Sequence, residues 1–424
     1  MGTGMGMEKD IGTGAGADAD AIFEAIRRDA VDIFSEEGLR EKLRSGRRLK
    51  VKLGADPSRP DLHLGHSVVL RKLRLLQDAG HEIIFVIGDF TGMIGDPSGR
   101  SKTRVPLTFE ETRRNGQTYF TQVAKILDTE KTRIAYNSEW LGALSFADAL
   151  TLAGKYTLAR IMERDDFAKR FAQNQPIGLH ELYYPLMQGY DSVALGADIE
   201  VGGTDQTFNL LVGRALQGDY GQARQEVVTF PLLPGLDGTE KMSKSLDNYI
   251  GIDEPADTMF EKCMKAPDAV LADYFRLTTG IPAAEYGPLI ADDIRQAHFL
   301  YAREITRLYQ GEEATRLAEA RYRDVALGGA PERIGTLSVC AAELTLLELV
   351  RRAGFAASNS DGRRLVTGGG VRINGRPATD PNLRVEAKMT PEGGAGGTGG
   401  AGLILSRGKN RFIRVVFEND CLSK

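Results

Sequence analysis

Residues 49–87 read LKVKLGADPSRPDLHLGHSVVLRKLRLLQDAGHEIIFVI, and three patterns succeed one another along them. Leu49 to Leu53 reads as a short strand. After a loop holding Pro57 and Pro60, the apolar residues Val69, Leu70, Leu73 and Leu76 recur at helical spacing, and the pattern stops at Gly80. Ile83 to Ile87 is an unbroken apolar run rich in branched side chains, the pattern of a strand covered on both faces. Strand, helix and strand in such close succession form a βαβ unit and hence a parallel sheet.

Outward from this unit, strand-like patterns resume at Asp198 to Val201 and at Val227 to Phe230. Between them a helix carrying Phe208, Leu211, Val212 and Leu216 is expected. Residues from 110 to 185 read as mostly helical, an insertion over 113–185 that splits the sheet, and 251–335 return to helical patterning. Near the C-terminus the pattern predicts a helix over Leu344 to Val350 and a second before Gly368-Gly369-Gly370. A hairpin at Asn374-Gly375 and another formed by Leu403–Ser406 with Phe412–Phe417 follow. Six glycines in the first 20 residues and seven in 391–402 read as a flexible leader and a flexible loop. The expected plan is a leader over 1–20, an α/β domain over 21–250, a helical domain over 251–335 and a small α+β domain over 340–424.

The 424 residues are 42% hydrophobic and 26% charged, which excludes a collagen-like, coiled-coil or wholly disordered chain. No apolar run approaches the roughly 20 residues of a membrane span, and the N-terminus lacks the basic-then-apolar pattern of a secretion signal. Three scattered cysteines, Cys263, Cys340 and Cys421, fit a reducing cytoplasm. Net charge is -4, but residues 340–424 hold 13 Lys and Arg against 8 Asp and Glu. A basic tail on an acidic body points to a phosphate-rich partner; a difference this small is about as well read as chance.

Asp61-Leu-His63-Leu-Gly65-His66 sits where the first strand feeds the first helix. A helix N-terminus attracts phosphate, two imidazoles can donate hydrogen bonds to a nucleotide, and Gly65 lets a base or ribose approach the backbone. By itself so short a match reads better as two helix-start histidines without a role. Lys241-Met242-Ser243-Lys244-Ser245 follows a glycine-bearing loop after the last sheet strand. Its two lysines suit the pyrophosphate end of a nucleotide, although alone such a run is more often a solvated turn. Tyr184, Gln188 and Asp191 fall at i, i+4 and i+7, so one helix face presents all three.

In this order and placement, HLGH and KMSKS resemble the signatures of class I aminoacyl-tRNA synthetases. The segment 184–191 resembles the amino-acid-binding helix of the tyrosine-specific branch. The resemblance spans roughly residues 30 to 417. It implies a Rossmann-type parallel-sheet domain that adenylates an amino acid and passes it to tRNA. It implies that His63, His66, Lys241 and Lys244, aided by Arg100 and Arg104, stabilise the transferring phosphates. Tyr184 and Gln188 then hold the substrate α-amino group, and Asp191 receives the phenolic hydroxyl.

Three further loops agree. In Gly54-Ala-Asp56-Pro57-Ser58, Asp56 would meet the amino acid or nucleotide and Ser58 the leaving phosphates. In the loop opened by Thr91, Asp96 would bind the ammonium group. In Gly202-Gly203-Thr-Asp205-Gln206, Asp205 would hold ribose and Gln206 the amino acid. Gly54, Gly65, Gly203, Met242 and Ser243 complete the expected ATP contacts. The C-terminal part resembles an S4-type RNA-binding module, with Arg363, Arg364 and Arg372 expected at phosphates. The resemblance further implies ATP with Mg²⁺ as substrate, no prosthetic group or structural metal, tRNA(Tyr) and tyrosine as partners, a homodimer formed through the insertion, and no membrane.

One position departs. The branch known best carries a tyrosine two residues before Gly54 that also contacts the substrate hydroxyl; here it is Lys52. Asp191 is then expected to carry recognition alone, with Lys52 near it or turned away. Two rivals are a tryptophan-specific relative, disfavoured by the 184–191 segment, and a non-catalytic RNA-binding paralogue, disfavoured by intact HLGH and KMSKS.

Overall fold

The structure, a computed structural model, describes residues 15–57, 62–98, 107–326, 334–339, 343–386, 389, 402–408 and 411–417. The chain divides into two compact units, one within 1–254 and 262–305, the other within 255–261 and 306–424.

The first unit is built on six strands: β1 (Asp32–Phe34), β2 (Lys50–Ala55), β3 (Glu82–Ile87), β4 (Thr132–Tyr136), β5 (Ile199–Gly203) and β6 (Glu226–Phe230). They lie in the order β1-β6-β5-β2-β3-β4. β2 to β6 are mutually parallel, and β1 pairs antiparallel with β6. The five parallel strands, taken along the chain, stand third, second, first, fourth, fifth. This is the doubly wound order, whose ligand crevice opens beyond the carboxyl ends of the strands where the order reverses. The reversal lies between β2 and β5, joined through Val51–Ile199 and Lys52–Glu200.

The sequence explains these elements locally. Ile83 to Ile87 of β3 are each no more than 1% exposed, so both faces of the strand are covered. Helix Leu64–Asp78 presses Leu64, Val68, Leu70, Leu73 and Leu76 into the core and ends before Gly80, at φ 88°. Helix Leu179–Leu195 ends at Gly196 in the left-handed conformation, a position that favours glycine.

Three features differ from the sequence expectation. β4 lies inside the stretch read as helical: its five residues are too few to show a period and gain their order by pairing with β3. β1 is shorter still. Helix Ala15–Arg27 begins within the expected leader, because Ile22, Phe23 and Ile26 are buried and Asp20 pairs with Arg40 and Arg44.

The second unit carries helix Glu312–Ala326 and two small sheets. Their strands are β7 (Gly335–Val339), β8 (Glu343–Thr345), β9 (Val371–Ile373), β10 (Arg376–Pro377), β11 (Arg384–Glu386), β12 (Leu403–Arg407) and β13 (Arg411–Phe417). One sheet runs β10-β9-β12-β13-β7 and the other pairs β11 with β8. Both expected hairpins form, β9 with β10 and β12 with β13. The first helix of this module starts at Leu346 rather than Leu344. Thr345 caps it, sharing a capping box with Glu348, and Leu344 pairs with Val385 in the smaller sheet. Leu349, Val366, Val371, Leu405 and Val415 meet in one core. The Gly-rich loop, apart from Gly402, lies outside the described residues, as do Cys340 and Cys421.

Candidate active site

One cavity lies at the carboxyl ends of β2, β3 and β5, at the reversal of strand order. It is lined by Gly54, Asp56, His63, Gly65, His66, Thr91, Asp96, Tyr184, Gln188, Asp191, Gly203, Asp205, Gln206, Lys241, Met242, Ser243 and Lys244. Every expected synthetase-site residue that the structure describes therefore faces one space. Ser58, Arg100 and Arg104 lie outside the described residues.

At one end the two histidines start helix Leu64–Asp78. His63 Nδ1 accepts from the Gly65 backbone N–H at 3.2 Å, and His66 Nδ1 accepts from the His63 N–H at 3.2 Å. Both Nδ1 atoms are thus acceptors, so in the neutral rings the proton sits on Nε2. Burial pushes both imidazoles below their ordinary range, reinforced by the nearby Lys241 and Lys244 charges; His66 falls to about 4. The pair therefore presents neutral N–H donors at pH 7. A Cβ on Gly65 would lie 3.0 Å from the His63 ring, so any larger residue here would push the imidazole aside by a few tenths of an ångström. Across the mouth, Lys241 Nζ contacts Asp205 at 2.9 Å, and Lys244 Nζ lies 5.5 Å from the Tyr249 ring centre. Ser243 Oγ caps the short turn Lys244–Leu246 by accepting from the Ser245 N–H.

The other end is a polar network around helix Leu179–Leu195. Asp56 accepts from Thr91 Oγ1 at 2.7 Å and from the Tyr184 hydroxyl at 2.9 Å. Asp96 accepts from Ser98, Arg164 and Gln206. Burial alone would raise its pKa, but Arg164, Ser98 and Gln206 outweigh that and hold it below the usual carboxylate range. Gln188 Nε2 points to Gln206 Oε1 at 3.5 Å, and among the described residues the buried Gln188 Oε1 has no hydrogen-bond partner. That atom is an acceptor awaiting a donor.

Asp191, 2% exposed, accepts from Trp140 Nε1 at 2.8 Å and from Asn137 Nδ2 at 3.4 Å. Burial pushes its carboxyl up to about 7, against the pull of Lys52 and these two donors. Lys52 does not line the cavity. Its ammonium group is turned behind the helix, toward the Gln188 carbonyl, Ser192 and Glu200.

Sequence reasoning missed Asn137, Trp140, Arg164 and Gly88. The first three follow β4 or sit in the insertion and carry no motif. Gly88 leaves a signal only in three dimensions: a Cβ there would overlap Asp56 Oδ1 and Thr91 Oγ1. In the second unit, Arg363 and Arg364 on helix Asn359–Thr367 and Arg372 on β9 are all exposed. Among the described residues no cluster of three or more His, Cys, Asp or Glu could hold a metal, and no helix is long and apolar enough to cross a membrane.

The cavity thus sets acceptors and a buried carboxylate at one end and neutral and cationic donors at the other, an arrangement suited to a zwitterion with a polar tail joined to a triphosphate. Comparison with known proteins agrees. Residues 44–325 match the family described as tRNA synthetases class I (W and Y), and 345–390 match the S4 domain. A tyrosine–tRNA ligase of Deinococcus radiodurans is 50% identical over 403 residues, 93% of this chain and 96% of that protein. One from Moorella thermoacetica is 47% identical over 401 residues, 92% and 94% of the two chains. The crystal structure of a C-terminally truncated mitochondrial tyrosyl-tRNA synthetase of Aspergillus nidulans shares the fold, with TM-score 0.61 at 21% identity over 72% of this chain and 94% of that one. The chain belongs to the tyrosine–tRNA ligases, within the class I tRNA synthetases.

Proposed function

We propose that the cavity activates L-tyrosine with ATP and that the enzyme then esterifies the 3'-terminal adenosine of tRNA(Tyr). In the first step a tyrosine carboxylate oxygen attacks the α-phosphorus of ATP in line. The bond to the β-phosphate oxygen breaks, and pyrophosphate departs with its Mg²⁺. In the second step a ribose hydroxyl attacks the carbonyl of the mixed anhydride, the bond from that carbon to the phosphate oxygen breaks, AMP leaves, and the hydroxyl proton passes to solvent. The protein contributes orientation and charge stabilisation.

Asp191 accepts the phenolic hydroxyl, while Tyr184, Gln188, Asp96 and Gln206 surround the ammonium group, with Thr91 and Asp56 bracing Tyr184. Asp205 holds ribose once Lys241 releases it. Gly54, Gly65 and Gly203 let the nucleotide approach the backbone, and Met242 and Ser243 border it. His63, His66, Lys241 and Lys244 meet the phosphates; Arg100, Arg104 and Ser58 join them by sequence motif alone.

The observation that carries this reading is the convergence of the 184–191 helix face with HLGH and KMSKS on one cavity. A buried acceptor that expects a hydroxyl favours tyrosine over tryptophan. The reading also places tRNA on the helical stretch 251–335 and on Arg363, Arg364 and Arg372 of the module over 340–424, and the protein in the cytoplasm. A homodimer is supported by five large apolar side chains, 53–80% exposed, from 146 to 179: Phe146, Leu150, Leu158, Phe171 and Leu179. The test is ATP-dependent attachment of radiolabelled tyrosine to tRNA(Tyr) as a base-labile ester. Label in the RNA fraction is expected; none, from folded protein, contradicts the proposal.

A further inference from the structure

Lys52 sits on β2 with its side chain wholly buried behind the substrate cavity. Its ammonium group donates to the Gln188 carbonyl at 3.0 Å and to Ser192 Oγ at 2.9 Å, and pairs with Glu200 Oε1 at 2.9 Å. The first two partners flank Asp191 on the same helix. Glu200, on β5 and 1% exposed, also accepts from Ser192 at 3.0 Å and from Gln225, which precedes β6. The remaining polar groups on Asp191 are neutral: Trp140, from helix Ser138–Leu141, and Asn137, after β4. One buried cation thus pairs with the Glu200 carboxylate and braces the helix turn that carries the Asp191 carboxylate, and the three groups come from three different elements.

We propose that Lys52 is a positioning residue for amino-acid selection: shared between Glu200 and Asp191, its charge keeps the Asp191 carboxylate available to accept the tyrosine hydroxyl. The proposal rests on the reading of Asp191 as hydroxyl acceptor.

Two ionised carboxylates close together in a dry interior cannot both persist without a cation; one takes a proton. The Lys52 charge favours the ionised form of Asp191, and Glu200 opposes it. A protonated Asp191 loses the charge-assisted bond to the substrate hydroxyl, which distinguishes tyrosine from phenylalanine. An ion pair serving structure alone would hold the helix and affect both amino acids alike. Lys52 does hold the 188–192 turn; its charge adds a pH-dependent effect on the hydroxyl alone.

The test is the ratio of kcat/KM for tyrosine to that for phenylalanine in ATP–pyrophosphate exchange, from pH 5.5 to 9, for wild type, Lys52→Met and Glu200→Gln. Phenylalanine shares every contact except the hydroxyl, so the ratio isolates Asp191. The wild-type ratio should rise with pH through the neutral range. Lys52→Met should move that rise upward by about one pH unit or more, lowering the ratio about tenfold below the midpoint. Glu200→Gln should move it downward, because the whole cation then serves Asp191. Opposite displacements would support the proposal. Superimposed profiles, or displacement of both variants in one direction, would overturn it. If Lys52→Met does not fold, the neutral polar variant Lys52→Gln decides: an upward displacement supports and an unmoved profile overturns. A wild type with no preference for tyrosine would instead refute the role of Asp191.

Discussion

Replacing Asp191 with Asn should make the ligand-free enzyme more stable and a poorer selector of tyrosine. In the folded protein burial lifts this carboxyl from 3.8 to about 7. The unfolded chain therefore releases its proton near pH 4, while the folded chain keeps it until about pH 7. Across that window the folded state binds more protons, so stability falls as pH rises, and the cost is complete above pH 7. Three pH units correspond to about 4 kcal/mol at pH 8, shrinking to about 1 kcal/mol near pH 4.5. Asparagine keeps the shape and can still accept from Trp140, and it carries no charge to bury. Urea unfolding of wild type and Asp191→Asn between pH 4.5 and 8 should show the variant gaining stability progressively with pH. In pyrophosphate exchange the same variant should lose about 10- to 100-fold in kcat/KM for tyrosine, the worth of a hydrogen bond to a charged group, with phenylalanine nearly unchanged. A variant less stable than wild type at pH 8, or an unchanged tyrosine/phenylalanine ratio, would refute this reasoning.

Other consequences are equally direct. With His66 held near 4 and His63 also depressed, neither of these two imidazoles should titrate in the exchange rate between pH 6 and 8, and His66→Gln should retain more activity than His66→Ala. A step near 6.5 that vanishes in His66→Gln would contradict the neutral N–H donors. Lys241→Ala and Lys244→Ala should each slow adenylate formation by about 10²-fold or more with tyrosine KM little changed, as single-turnover kinetics can establish; equal losses in both would argue against a role confined to the transition state. Gly88→Ala should cost about 1–3 kcal/mol and weaken tyrosine binding, because the new methyl displaces Asp56 and Thr91; an unaltered variant in thermal unfolding and tyrosine titration would contradict it. Phe171→Glu with Leu179→Glu should halve the mass seen in sedimentation; a wild type that is already monomeric would remove the dimer.

Much of this was legible in the chain because the signals were local. The buried run of β3 and the helix ending at Gly80 fix the βαβ unit, and the motifs lie at strand ends, where a doubly wound sheet brings distant loops together. The spacing of Tyr184, Gln188 and Asp191 placed them on one face because a helix has a fixed period. Other features were not legible. β1 and β4 are edge strands of three and five residues that gain order from their neighbours. Asn137 and Trp140 reach Asp191 across about 50 residues of sequence, and nothing in their surroundings marks them. The environment of Lys52 depends on Glu200, which reads in sequence as one polar residue within a buried strand. The meaning of a charged residue in a sheet core is set by its partner in space.

The most direct test of the account is amino-acid-dependent ATP–pyrophosphate exchange without tRNA, with tyrosine, phenylalanine and tryptophan side by side at pH 7.5. The account predicts strong exchange with tyrosine, weaker exchange with phenylalanine by at least about 10²-fold, and none above background with tryptophan. Exchange driven equally by phenylalanine or tryptophan would contradict the assignment of Asp191 and its helix, and no exchange from folded protein would contradict the proposed chemistry of the cavity.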